Sequence, residues 1–142
     1  MQITRRFEFD AGHRVHGHGG KCKYPHGHRY RLDVTVEAPE LNDLGMVIDF
    51  GDIKSSIGQW IDDNVDHGFI VWSGDPCLGD ALRSLEDSKV IQVHGNPTAE
   101  FLVVWLYEKL RPVLQEAAKD VKMTKLVLFE TPNCSATYEV PQ

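Results

Sequence analysis

Residues 26–38, HGHRYRLDVTVEA, alternate with a period of two. His26, His28, Tyr30, Leu32, Val34 and Val36 fall on one face, and Arg29, Arg31, Asp33, Thr35 and Glu37 on the other. That period belongs to a strand with one buried face. Residues 3–13, ITRRFEFDAGH, repeat it. Ile3, Phe7, Phe9, Ala11 and His13 point one way and Thr4, Arg6, Glu8 and Asp10 the other, with Arg5 the one polar residue on the apolar side. A Gly-rich connection, residues 17–25, lies between the two runs and marks a loop. If the runs pair as a hairpin, the end of the first meets the start of the second.

Outward from this hairpin, DFGDIKSSIGQWIDDNVDH places Phe50, Ile53, Ile57, Trp60 and Ile61 at helical spacing, with Asp49 as its cap. NPTAEFLVVWLYEKLRPVLQEAAK predicts a second helix, with Asn96 as N-cap and Pro112 kinking or ending it early. TKLVLFE and SATYEV are two closing strands joined by the turn TPNC. Residues 68–95 mix Gly, Pro and charge and predict a long surface excursion. The order is β-β-α-α-β-β, an α+β fold with a four-stranded antiparallel sheet and two helices on one face. The other face is polar, and the open edge strands call for a partner, such as a neighbouring subunit.

The chain has 142 residues, a normal length for one domain, and we expect a single domain over 1–142. Its 42% hydrophobic and 25% charged content fit a soluble globular protein. No apolar run approaches the ~18 residues of a membrane span, and no secretory stretch opens the chain. Cys22, Cys77 and Cys134 are odd in number and widely spaced, so reduced thiols in the cytoplasm are expected rather than disulfides. With a net charge of −6 and no Lys/Arg stripe, a nucleic-acid partner is not expected.

Histidines dominate the chemistry. His26 and His28 leave one face of a strand with backbones about 6.6 Å apart, close enough for two imidazoles to meet on one ion. The hairpin brings His13 beside them. Three imidazoles on rigid backbone form a tripod with an open fourth position, the pattern of a catalytic zinc. His16 and His18 sit in the Gly-rich connection with no strand to fix them and read as polar surface. Cys22 is either a fourth ligand, closing a structural site, or a base or nucleophile beside an open one; spacing leaves both open. Lys21 and Lys23 flank it and read first as solvated lysines, with a bound anion as the alternative.

These residues resemble the 6-pyruvoyltetrahydropterin synthase and QueD family. The matching pieces are FDAGH ending at His13, CKYPHGH from Cys22 to His28, GMVIDFGDIK from Gly45, Asp66-His67, NPTAE from Asn96, and Glu130-Thr131. The resemblance implies a tunnel fold, Zn²⁺ on His13, His26 and His28, a catalytic thiol at Cys22, a proton-transfer pair at Asp66 and His67, and a pterin anchor at Glu130. It implies a homohexamer of two stacked trimers with active sites between subunits. The three-residue gap between Cys22 and His26 resembles the QueD branch, whose product is 6-carboxytetrahydropterin, with acetaldehyde and triphosphate released from 7,8-dihydroneopterin triphosphate on the queuosine pathway. The 6-pyruvoyl branch is the alternative, and a non-enzymatic domain stabilised by zinc is a second. The run GFIVWSGDPCLGDALRSLEDSK after His67 is longer than the family's usual connection.

Overall fold

The computed structural model describes residues 1–141. Strand β1, Gln2–His13, pairs antiparallel with β2, His26–Glu37, from Gln2↔Glu37 to His13↔His26. The hairpin has the register that the two alternations call for. Phe9, Ala11 and His13 are buried together with Tyr30, Leu32, Val34 and Val36.

The observed order differs from the expected one in the segment after His67. The excursion is not an irregular surface segment. It contains β3, Gly68–Trp72, and β4, Val90–Val93. β3 runs parallel to β1 at Ala11–His13, and β4 runs parallel to β3. With β5, Lys122–Thr131, and β6, Cys134–Glu139, the sheet therefore has six strands in the order β4-β3-β1-β2-β5-β6 and is mixed, rather than four-stranded and antiparallel. The expected four survive as its antiparallel part, β1-β2-β5-β6. Parallel strands are covered on both faces and carry short unbroken apolar runs instead of alternation, which is how GFIVW escaped a period-2 reading.

The first expected helix spans α1, Phe50–Ile53, a π-helical turn, Lys54–Gly58, and α2, Gln59–Asn64. The Asp49 carboxylate caps it by accepting from Gly51 N–H at 2.6 Å. A short helix within the excursion, α3, Leu78–Arg83, was not expected. The long helix, α4, Ala99–Ala117, starts later than predicted. Thr98 is the cap, accepting from Phe101 N–H at 3.2 Å, while Asn96 is released for other work. Pro112 does not end α4. Its missing N–H deprives only the carbonyl of Glu108, on the exposed side where water can serve, while Leu110 and Leu114 are fully buried on either side of it. The helices at 50–64 and 99–117 share one core with the apolar sheet face, as expected.

The excursion is anchored directly behind His13. Asp75, whose side chain is 2% exposed, accepts two bonds from the Arg14 guanidinium at 2.6 Å each and caps the N–H groups of Cys77 and Leu78. The Arg14 guanidinium holds the Asp75 carboxyl far below the usual carboxylate range. Asp75→Ala removes both carboxylate bonds of Arg14, leaving it a 3.5 Å contact to Cys77 Sγ, and uncaps two N–H groups. Urea denaturation should register a loss of about 3 kcal/mol, whereas Asp80→Ala, on the exposed side of α3, should lie within about 0.5 kcal/mol of the parent.

Candidate metal centre and its surroundings

The register His13↔His26 and Ala11↔His28 puts three imidazoles on the helix-covered face of the hairpin. Their Nε2 atoms converge: His13 to His26 at 3.2 Å and His26 to His28 at 3.1 Å. A tetrahedral ion with Zn–N bonds of 2.0–2.1 Å needs ligand nitrogens about 3.3 Å apart. The cluster is thus already near coordination geometry.

Backbone carbonyls set the tautomers. His13 Nδ1–H donates to the Pro97 carbonyl at 2.7 Å, and His26 Nδ1–H donates to the Tyr24 carbonyl at 2.6 Å. Each bond fixes a ring plane and leaves Nε2 as a lone pair, the usual arrangement behind a metal-binding imidazole. Residues 96–98 divide three tasks. Asn96 clamps the His16 backbone through Nδ2 and Oδ1, Pro97 holds His13, and Thr98 caps α4. The buried Tyr30 ring packs edge-on under His13 and His28, with centroids 6.0 and 5.6 Å away.

Electrostatics favour the neutral rings that a cation needs. Burial holds the His13 imidazole down to about 4; the Pro97 bond opposes this and the neighbouring His26 and His28 add to it. Burial also lowers His28, against the pull of Glu130. The Glu130 carboxylate reaches the triad. Its Oε1 lies 3.3 Å from His13 Nε2 and 3.7 Å from His28 Nε2.

The remaining candidates are spread out. Cys22 lies half-buried on a one-turn 3-10 helix, Lys21–Lys23, and does not join the three histidines in a common ligand set. His16 and His18 also stay outside it. The His18 Nδ1 accepts from Gly20 N–H at 2.8 Å. Asp66 and His67 form a second cluster with Asp10. Asp66 Oδ1 accepts from the Asp10 N–H at 2.9 Å and Oδ2 from His67 Nδ1–H at 2.9 Å. Burial raises the Asp66 carboxyl, but those two bonds and the nearby His67 and Lys89 outweigh it and hold it below its ordinary value. His67 adopts φ 59°, the left-handed region that side chains seldom enter, at the turn between α2 and β3. His67 and His28 border one open cavity of about 350 Å³.

Across residues 2–141, the chain matches the family profile described as 6-pyruvoyl tetrahydropterin synthase. The chain belongs to that family. Among curated family members, the 6-carboxy-5,6,7,8-tetrahydropterin synthase of Rickettsia bellii is 46% identical over 134 residues, 94% of this chain and 96% of that protein. The Aquifex aeolicus protein of the same name is 35% identical, covering 97% of each. Among solved structures, an uncharacterized protein of Wolinella succinogenes superposes with a TM-score of 0.82 at 27% identity over 98% of this chain and 97% of that one. The 6-pyruvoyl tetrahydropterin synthase of Caenorhabditis elegans has a TM-score of 0.71 at 23% identity, over 99% and 96%, and so shares the fold of the family.

Sequence reasoning missed the groups that hold the rings. The Pro97 and Tyr24 acceptors are main-chain oxygens, and no side-chain pattern encodes them. The depressed His13 and His28 make the metal-free protein acid-sensitive. The folded state refuses a proton that the unfolded chain accepts below about pH 6.5, so stability is unaffected above that pH and falls as pH drops toward 4. Denaturant titrations of chelator-treated protein should lose about 3 kcal/mol across this window from His13 alone, and His13→Asn should flatten the dependence.

Proposed function

We propose that this chain is a zinc-dependent 6-carboxy-5,6,7,8-tetrahydropterin synthase. It takes 7,8-dihydroneopterin triphosphate and one water to 6-carboxytetrahydropterin, acetaldehyde and triphosphate, a lyase step of queuosine biosynthesis in the cytoplasm. The observation that carries the reading is the convergence of three Nε2 atoms, with His26 3.2 Å from His13 and 3.1 Å from His28 and two rings locked by main-chain oxygens. The names of the Rickettsia bellii and Aquifex aeolicus relatives support the 6-carboxy product.

His13, His26 and His28 would hold the ion. When bound, zinc supplies Lewis acidity toward the hydroxyl oxygens of the substrate side chain. Cys22, as thiolate, removes a proton from a side-chain carbon. His67 moves a second proton at its Nε2, since its Nδ1 is engaged by the Asp66 carboxylate at 2.9 Å. Glu130 accepts from the pterin ring N–H and exocyclic amine, a paired donor edge that suits a carboxylate.

A homohexamer of two trimers, with active sites between subunits, belongs to the same proposal, as does a single domain over the whole chain. Two features support the assembly. Among the described residues, β1 is paired on its second side only at Ala11–His13 and β6 only with β5, so both present open edges. Cys22 also joins neither histidine cluster within the chain, so a neighbouring subunit can complete the set.

Incubation with dihydroneopterin triphosphate, followed by mass spectrometry, should give 6-carboxytetrahydropterin and acetaldehyde; a 6-pyruvoyl product without acetaldehyde would move the chain to the other branch. Cys22→Ala should reduce kcat at least ~100-fold with zinc content unchanged. Loss of zinc and stability together would make it a structural ligand instead. Glu130→Gln should raise KM at least ~10-fold, equivalent to about 1.4 kcal/mol, and keep the metal.

A further inference from the structure

We infer that Lys21 and Lys23 form an anion subsite for an oligophosphate chain, placed on the turn that carries Cys22. The inference rests on the pterin triphosphate reading for the identity of the substrate, but it starts from charge. Residues 11–32 contain no Asp or Glu, although the chain as a whole carries −6. The same stretch holds Arg14, Lys21, Lys23, Arg29, Arg31 and five of the seven histidines.

Most of these cations are already engaged. Arg14 is bound to Asp75, Arg29 to Glu8 and Asp10, and the Arg31 guanidinium lies 3.6 Å over the Phe129 ring. Lys21 and Lys23 are exposed and make no ion pair among the described residues. Lys23 Nζ rests 5.2 Å over the Tyr24 ring, its one aromatic contact.

The turn presenting them is ordered without salt bridges. Val15 N–H donates to the Cys22 carbonyl at 2.7 Å, and Tyr24 N–H donates to the Lys21 carbonyl at 3.0 Å. The Tyr24 carbonyl in turn holds His26. The two ammonium groups are thus tied, through four residues of chain, to the ring cluster where the substrate side chain would react. His18 stands in the same loop, its Nδ1 accepting from Gly20 N–H. Each compact, rotatable ammonium can follow a flexible polyanion as a point charge. An acid-free stretch with two ammonium charges outside any ion pair among the described residues makes the thiol turn a locally positive feature of an acidic protein, where a polyanion would be drawn.

The test uses the zinc-loaded full chain and its Lys21→Gln/Lys23→Gln variant. Calorimetry with inorganic tripolyphosphate should find binding to the parent that weakens at least ~10-fold in the variant, with a shallower dependence on salt. ATP, as a triphosphate from another source, should lose affinity by a similar factor. Dihydroneopterin without phosphates should bind both proteins equally, and in turnover the variant should raise KM far more than it lowers kcat. Equal tripolyphosphate affinity in both proteins, no binding to the parent, or a parallel loss of dihydroneopterin affinity would overturn the subsite. A parent that binds tripolyphosphate through these lysines but turns over no pterin would sink the enzymatic reading and leave the subsite standing.

Discussion

The pairing of His13 with His26 across the first hairpin is the constraint on which the site depends. Side chains alternate along a strand, so a slip of one residue between β1 and β2 would send one partner's ligands to the opposite face. The core prevents that slip. Phe9 stacks on Tyr30 with centroids 5.2 Å apart, and Leu32, Val34 and Val36 are fully buried below them. The same hydrophobic burial that folds the hairpin therefore aims the imidazoles, and the site needs no separate scaffold. Gly12 helps at the junction with β3, where any Cβ would collide with the Phe69 ring.

Much of this was legible in the residues themselves. Two period-2 runs and a hairpin assumption suffice to bring His13, His26 and His28 together, because strand geometry converts spacing directly into direction. The Asp49 cap was legible for the same reason: its effect is local. What escaped were interactions whose partners are distant in sequence or lie in the main chain. The Asp10 amide N–H that donates to the Asp66 carboxylate, 56 residues away, has no side-chain signature. Asn96 was read as a cap because it precedes Pro97, whereas tertiary contact assigns it to His16 and leaves capping to Thr98.

The stretch 68–95 failed as a reading for a physical reason of another kind. Parallel strands gain their partners through crossovers, and each carries too few residues to betray a period. Ile70, Val71 and Val93 are buried, yet only four or five residues stand in each strand. Their docking depends on Arg14, the residue after a candidate ligand, so the added segment and the candidate metal centre share one stretch of backbone.

The three imidazoles are not equivalent. Two are bolted to main-chain oxygens, whereas His28 Nδ1 has no hydrogen-bond partner among the described residues and its ring is held only by the Tyr30, His13 and His26 rings and the Glu130 carboxylate around it. Were an ion to bind here, the two bolted rings would form a rigid jaw and His28 the looser tooth. Closing that jaw would then cost mainly the rotational freedom of one side chain.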